Sequence, residues 1–145
     1  RLGELGLWIH MTEIDVACSP GGLPCVKWGV EEETKQAEVY AALLDACLKE
    51  DMCESYEMWG FTDRYTWLGT DQHPLIYDEN YEPKLAVQAL IDTFSGNMTW
   101  VNNYYHRVGN YSNNNNTEEV YSPWLDFHGK DDYIRRKKNN ELHQK

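Results

Sequence analysis

The chain has 145 residues, a formal net charge of −11 and 41% hydrophobic residues, so it is long enough for one domain with a hydrophobic core. The negative charge argues against nucleic-acid binding, because contact with phosphates needs a basic surface. No apolar run approaches the ~20 residues that cross a bilayer. Trp and Tyr are frequent, with six and ten copies, and such rings either build a core or stack on sugars.

The first predicted element is a β-strand at residues 8–16, an apolar and β-branched run that carries two acids. Strict alternation gives the strand two faces, with Ile9, Met11, Glu13 and Asp15 on one and Trp8, His10, Thr12 and Ile14 on the other. Two acids on one face are rarely buried unpaired. They either meet solvent at the end of the strand or belong to an active-site strand whose carboxyl end presents a catalytic acid.

A helix is predicted over residues 32–49, after a loop at residues 17–29 that is rich in Pro and Gly. A second strand follows at residues 55–61, then a loop at residues 62–80 and a last helix that begins at Pro83. The order strand, helix, strand, helix implies two parallel strands with a right-handed crossover. Parallel strands are normally buried on both faces, so this unit is expected to be part of a larger sheet or barrel.

Four cysteines fall into two close pairs, and neither pair has the CxxC spacing of zinc or thioredoxin-like sites. Four cysteines allow three pairings. The local pairing, Cys18–Cys25 and Cys47–Cys53, is the prediction.

Three Asn-x-Ser/Thr sequons begin at Asn97, Asn110 and Asn115. Each is a weak signal alone in an Asn-rich sequence. Together with an even number of cysteines they favour a secreted glycoprotein.

Residues 97–145 differ in composition from the rest, being rich in Asn and then in charged residues. This composition predicts an irregular tail that is partly disordered. The basic run at residues 135–138 could bind nucleic acid or a membrane surface, but in so acidic a chain it is more typical of a solvated tail.

Four segments closely resemble the C-terminal part of glycoside hydrolase family 10, the retaining endo-β-1,4-xylanases. They are residues 12–15 (TEID), 36–40 (QAEVY), 59–67 (WGFTDRYTW) and 74–84 (PLIYDENYEPK). The resemblance extends over about two-thirds of the chain. It implies an α/β fold in which residues 1–96 are the seventh and eighth strand–helix units of a (β/α)8 barrel, followed by the tail at residues 97–145.

The resemblance also implies roles for individual residues. The catalytic nucleophile of the family falls on Glu13. Asp15 corresponds to an aspartate that helps to orient a histidine in contact with the nucleophile. Trp59 and Trp67 correspond to the two tryptophans that enclose the sugar at the cleavage point.

Cys47 and Cys53 lie where fungal members of the family carry a disulfide. Nothing in the chain matches the fourth strand, which supplies the acid/base glutamate of the family. The N-terminal remainder of the barrel is therefore expected from the same protein or from another chain, and an opening at the end of a helix favours the same protein. No cofactor and no metal is expected.

Three other residues are candidates for a place in the site. Glu57 lies on the face of Trp59, where a buried acid in an ion pair is expected rather than a second catalytic carboxylate. His10 is expected to face the helix layer as a structural histidine. His73 lies on the loop near Trp67, either in the cleft or on the surface.

The sequence therefore predicts a secreted endo-1,4-β-xylanase that hydrolyses β-1,4-xylan, or a related β-1,4-glycan, with retention of configuration. The alternative is a non-catalytic protein derived from the barrel, with a carbohydrate-binding or structural role. The two hypotheses differ in one requirement, because only hydrolysis needs a second carboxyl group about 5–5.5 Å from Glu13.

Overall fold

Two parallel strands and three helices make up the described part of the chain, residues 3–19 and 23–114 of the computed structural model. In chain order they are β1 (Ile9–Ile14), α1 (Val30–Leu48), β2 (Cys53–Met58), α2 (Leu85–Phe94) and α3 (Thr99–Asn114). Short 3-10 turns lie at Gly3–Leu5, Asp63–Tyr65 and Thr70–Gln72. Side chains are described up to residue 110, where one compact unit of the chain ends.

The predicted order of elements is confirmed, and β1 and β2 pair in parallel as expected. Strand β2 ends at Met58, so Trp59 follows the strand instead of lying within it. Helix α2 begins at Leu85, two residues after the predicted start, because Pro83 forms an antiparallel bridge with Tyr77. None of the helices in the described ranges has the length and hydrophobicity to cross a membrane.

Helix α3 lies in the region whose composition predicted an irregular tail, so that prediction is wrong for residues 99–114. The division of the chain between residues 96 and 97 stays a prediction. The expected disorder, the sequon at Asn115 and the basic run at residues 135–138 concern residues outside the described ranges.

The core lies between helices α1 and α2, on one side of the sheet. Three glutamates in the first turn of α1 suit the positive end of its dipole, and one of them, Glu33, accepts a bond from the Leu85 N–H at the start of α2, at 2.8 Å. Small side chains on both helices let their backbones approach closely. The buried apolar cluster consists of Ile14, Ala37, Tyr40, Ala41, Leu44, Ala86, Ala89, Leu90 and Val101.

Strand β1 does not alternate as predicted. Glu13 has a φ of 60°, and the pairing with β2 is irregular between Met11 and Ile14. An extra residue in a strand shifts every later side chain to the opposite face. Ile14 therefore joins Met11 on the core side, whereas Glu13 is exposed, so the prediction that Met11 and Glu13 share a face is wrong.

The prediction for His10 is also wrong, because it is Met11 and Ile14 that face the helices. His10 is exposed on the other side of the sheet and forms a hydrogen bond with Ser55 Oγ of β2 at 2.9 Å. Thr12 and Glu57 are exposed as well. No described residue forms a layer over this side of the sheet.

We expect the isolated 145-residue chain not to unfold in one cooperative transition, because the described residues cover its sheet on one side only and leave large apolar side chains such as Trp8 (63%) and Phe94 (66%) exposed. Thermal melting followed by circular dichroism, with the mass measured by light scattering, checks this. A sharp transition of a monomer would contradict it.

Candidate active site

An open cleft of about 500 Å³ lies at the carboxyl end of the sheet, and its lining consists of Glu13, Asp15, Trp59 and Trp67. All four are residues to which the sequence assigned a role. Glu13 and Asp15 come from the end of β1, and Trp59 and Trp67 from the segment after β2. The fold thus brings the predicted acids and the predicted aromatic rings into one place.

Glu13 projects into the cleft because of the local backbone. A positive φ costs a residue other than Gly about 1–2 kcal/mol, so the surrounding structure must hold it. Ile14, buried directly after it, supplies that hold by packing in the core. The carboxylate of Glu13 is exposed and accepts no hydrogen bond from the described residues. It is therefore accessible to a ligand in the cleft.

Asp15 has one engaged and one free oxygen. Its Oδ2 accepts a hydrogen bond of 2.7 Å from the indole Nε1–H of Trp67. Its Oδ1 is buried and has no partner among the described residues. Partial burial raises the pKa of Asp15 above its ordinary value, the bond from Trp67 opposes this rise, and the nearby negative charge of Asp63 adds to it.

Trp59 and Trp67 both expose much of their rings, 52% and 70% respectively. The Trp59 N–H still donates to Ile14 O, at 3.3 Å, so the pairing of the strands fixes the position of Trp59. The chain turns immediately afterwards at Gly60, whose φ is 145° and where a Cβ would lie 3.2 Å from Leu75 Cδ1. Only Gly suits such a backbone, so this turn sets the direction of the segment that leads to Trp67.

The loop that carries Trp67 folds back onto the sheet around a buried ion pair. Lys84 Nζ lies 2.9 Å from Asp63 Oδ2, and the N–H of Leu75 donates to Asp63 Oδ1 at 2.7 Å. Lys84 Nζ also donates to His73 O at 2.7 Å. Sequence reasoning gave Asp63 and Lys84 no role of their own. They are 21 residues apart, and no local pattern links them.

The loop between β1 and α1 joins the same assembly. Val16 N–H donates to Pro74 O at 3.1 Å, and Cys18 N–H donates to Gln72 O at 2.8 Å. The Cys18–Cys25 disulfide closes this loop, with its Cα atoms 5.5 Å apart. The two loops that border the cleft are thus tied to each other beside Asp15.

The second predicted disulfide, Cys47–Cys53, joins the end of α1 to the start of β2, with a Cα–Cα distance of 5.4 Å. Both predicted pairings are therefore present, and none of the cysteines is free. No group of three or more His, Cys, Asp or Glu side chains in the described ranges could hold a metal ion.

The other candidate residues, Glu57 and His73, are not part of the cleft lining. Glu57 is exposed and forms no ion pair within residues 3–19 and 23–110, so the expectation of a buried, paired acid is wrong for this chain. It lies on the side of β2 that the helices do not cover. His73 is partly buried and stacks on Trp28, with ring centroids 4.5 Å apart.

Two of the three sequons lie within the described ranges. Asn97 is exposed just before α3, and its Oδ1 accepts from Thr99 Oγ1 at 2.8 Å and from Thr99 N–H at 3.2 Å. Asn110 is exposed on α3 and its Nδ2 lies 3.1 Å from His106 Nδ1.

Comparison with known proteins places this arrangement in a family. Residues 1–93 match the model of the family described as glycosyl hydrolase family 10. Endo-1,4-beta-xylanase B of Thermotoga neapolitana is 40% identical over 100 residues, which cover 63% of this chain and 27% of that enzyme. Endo-1,4-beta-xylanase of Agaricus bisporus is 30% identical over 99 residues, covering 66% of this chain and 28% of the enzyme.

Solved structures give the same result. The crystal structure of xylanase 10B from Thermotoga petrophila in complex with xylobiose has a TM-score of 0.59 and 33% identity, over 66% of this chain and 29% of that one. Neighbours of this kind are barrel xylanases, so the βαβα unit is part of a (β/α)8 barrel. The chain spans less than a third of these relatives.

Because the pKa of Asp15 is raised in the folded state, ionisation of Asp15 lowers the free energy of unfolding. The folded state holds the proton more tightly than the unfolded state, in which the pKa is about 3.9. The stability that Asp15 contributes is thus present below that pKa and is lost as the pH rises through the folded pKa. In the 145-residue chain, where Asp15 Oδ1 has no partner among the described residues, we expect Asp15→Asn, which keeps an acceptor for Trp67, to become more stable relative to the parent as the pH rises from about 3 to 7.

Urea unfolding of both proteins at several pH values measures this difference. Trp67→Phe is the matched variant. It removes the hydrogen bond that lowers the pKa of Asp15, so its deficit in stability should grow as the pH rises. A difference between Asp15→Asn and parent that shrank with rising pH would contradict the assignment.

Proposed function

Since the chain belongs to glycosyl hydrolase family 10, we propose that it is the part of a retaining endo-1,4-β-xylanase that carries the catalytic nucleophile, Glu13. The observation that carries this proposal is the cleft in which Glu13 faces two exposed tryptophan rings. Its carboxylate is exposed and unbonded among the described residues, as a group that must attack a sugar carbon needs to be.

Retention of configuration requires two carboxyl groups about 5–5.5 Å apart, one as nucleophile and the other as general acid and base. Asp15 shares the cleft with Glu13 but is a poor second partner, because its Oδ2 is committed to the indole of Trp67. We therefore assign the acid/base role to a glutamate from the remainder of the barrel. This second group first protonates the leaving oxygen and then activates the water that releases the sugar from Glu13.

Asp15 has a supporting role in this proposal. A buried carboxylate oxygen without a partner is costly, and Asp15 Oδ1 is such an atom. The resemblance to the family supplies a donor, the histidine that contacts the nucleophile. Asp15 would then hold that histidine with Oδ1 while it holds Trp67 with Oδ2.

Trp59 and Trp67 bind the sugar at the point of cleavage. Their faces are open to the cleft, and aromatic rings stack well on the apolar faces of pyranose rings. The substrate class rests on the relatives, which are xylanases by name, and one of which is a complex with xylobiose. For this chain we propose β-1,4-xylan.

The remainder of the barrel is the partner that we propose for the uncovered side of the sheet. His10, Thr12 and Glu57 would then lie inside the barrel instead of in solvent. Exposed apolar groups such as Trp8 would pack against neighbouring strands and helices. A complete barrel also has no sheet edge left to pair with another protein.

We also propose that the protein is secreted and glycosylated. Two disulfides tie the loop before α1 and the turn after it, and disulfides persist in oxidising compartments. The sequon residues Asn97 and Asn110 are both exposed. Asn115 completes the proposed set of glycosylation sites.

In the complete barrel, Glu13→Ala should abolish the covalent step and leave substrate binding nearly intact, since Trp59 and Trp67 supply the stacking. Loss of the nucleophile should lower the rate by several orders of magnitude, which corresponds to roughly 5–8 kcal/mol of transition-state stabilisation. Azide can enter the space left by the side chain. It should restore turnover of an aryl xylobioside and give a product of inverted configuration, which NMR identifies.

Glu57→Gln is the matched control, because it alters a glutamate on the neighbouring strand outside the cleft lining. It should hydrolyse xylan at a near-normal rate. Normal turnover by Glu13→Ala would refute the nucleophile assignment. A complete parent barrel that binds xylo-oligosaccharides without hydrolysing them would favour the non-catalytic, carbohydrate-binding alternative.

A further inference from the structure

We propose that Asp63 and Lys84 are a positioning pair for substrate, which hold the loop of Trp67 so that its ring stays over the cleft beside Asp15. This inference rests on the proposed function, because it concerns the same cleft. Neither residue lines the cleft, so both act through Trp67.

The pair is almost completely removed from solvent, with the side chain of Asp63 1% and that of Lys84 5% exposed. A buried ion pair seldom stabilises a fold more than apolar residues of the same size would, because both charges lose their hydration. Here we assign the pair a role in geometry, since the Lys84 ammonium donates and the Asp63 carboxylate accepts hydrogen bonds only in defined directions.

Both oxygens of Asp63 and the ammonium of Lys84 have hydrogen-bond partners. Asp63 receives the Lys84 ammonium on Oδ2 and the Leu75 N–H on Oδ1. The ammonium also donates to His73 O and lies 5.0 Å from the centre of the Trp28 ring. The pair therefore fastens the start of the loop, at Asp63, to its middle and to its end.

The turn that leads to Trp67 begins at Asp63. Thr62 Oγ1 donates to Asp78 O at 2.6 Å and accepts from Arg64 N–H at 3.2 Å, and Thr66 N–H donates to Asp63 O at 3.4 Å. Trp67 comes next in the chain.

Trp67 has little else to hold it. Its ring is 70% exposed, and the bond from its indole to Asp15 is its one side-chain hydrogen bond to a described residue. Its position is therefore set by that bond and by the anchored turn. Misplacing a substrate-binding group by about 1 Å can cost up to ~100-fold in rate.

The charge of Lys84 matters to Asp15 as well. Asp63 is one of the groups that raise the pKa of Asp15, and Lys84 faces Asp63 directly. Burial lowers the pKa of Lys84, and its contact with Asp63 opposes this. The ion pair thus compensates the charge of Asp63, which lies close enough to Asp15 to raise its pKa.

The test is a double-mutant cycle in the complete barrel between Lys84→Met and Trp67→Ala, with kcat/KM for a xylo-oligosaccharide measured well below the melting temperature. Lys84→Met should lower kcat/KM about 10- to 100-fold in the parent. In the Trp67→Ala background it should change kcat/KM less than about twofold, because the group through which it acts is gone.

Leu44→Ala is the matched control, since it destabilises the buried cluster between the helices and takes no part in the Asp63–Lys84 pair or its hydrogen bonds. It should lower the melting temperature at least as much as Lys84→Met and leave kcat/KM unchanged in both backgrounds. Equal effects of Lys84→Met in both backgrounds, or no effect in the parent, would overturn the proposal. If Lys84→Met does not fold, the neutral pair Asp63→Asn with Lys84→Met replaces it in the same cycle.

A second measurement does not depend on turnover. The indole N–H resonance of Trp67, assigned through Trp67→Phe in ¹⁵N-tryptophan-labelled barrel, should shift or broaden in Lys84→Met and stay in place in Leu44→Ala. An unmoved resonance in Lys84→Met would overturn the positioning role even in an inactive protein. An inactive parent counts against the proposed function, whereas an additive cycle in an active parent counts only against the pair.

Discussion

The left-handed backbone at Glu13 is the constraint on which the site depends. A regular strand would direct Glu13 to the same side as Met11, into the helix layer, where an unpaired carboxylate is unfavourable. Because the pairing is irregular between Met11 and Ile14, the buried position in the core is taken by Ile14, and Glu13 is exposed in the cleft. The packing of Ile14 against the helices therefore also fixes the carboxylate in the cleft.

The loops after β1 and after β2, which border the cleft, are each held by several contacts. The segment after β1 is closed by Cys18–Cys25 and bonded to Gln72 and Pro74 of the opposite loop. That loop is in turn held by Asp63 and Lys84. Loops that carry functional groups are normally the mobile part of a barrel, and here each is tied to the other beside the cleft.

The sequence predicted the elements well where periodicity carried the information. The spacing of Tyr40, Ala41 and Leu44 on α1 predicted a buried helical stripe, and these residues form the core. The parallel pairing of the strands followed from the order of elements alone. The four residues of the cleft came from the resemblance to the family, and the fold brings them together. Their individual roles stay predictions.

What the sequence could not predict depends on tertiary contacts. The irregular pairing at Glu13 cannot be recognised from the alternation of residues in the sequence. Strict alternation put His10 on the side opposite to Glu13, so the expected direction of His10 was wrong as well. The pairing of Asp63 with Lys84 joins residues 21 positions apart, and only the folded loop brings them together. Glu57 was expected to be buried because it was placed on the face of Trp59, whereas the described residues leave that side of the sheet uncovered.

The central claim is that Glu13 forms a covalent bond with the sugar. The most direct measurement is to treat the complete barrel with an activated 2-deoxy-2-fluoro-xylobioside, which slows release of the intermediate, and to map the adduct by mass spectrometry of peptides. The account predicts one fluoroxylobiosyl group on the peptide that contains Glu13, attached at its carboxylate. An adduct on Asp15 or Glu57, or none while the enzyme continues to hydrolyse xylan, would contradict it.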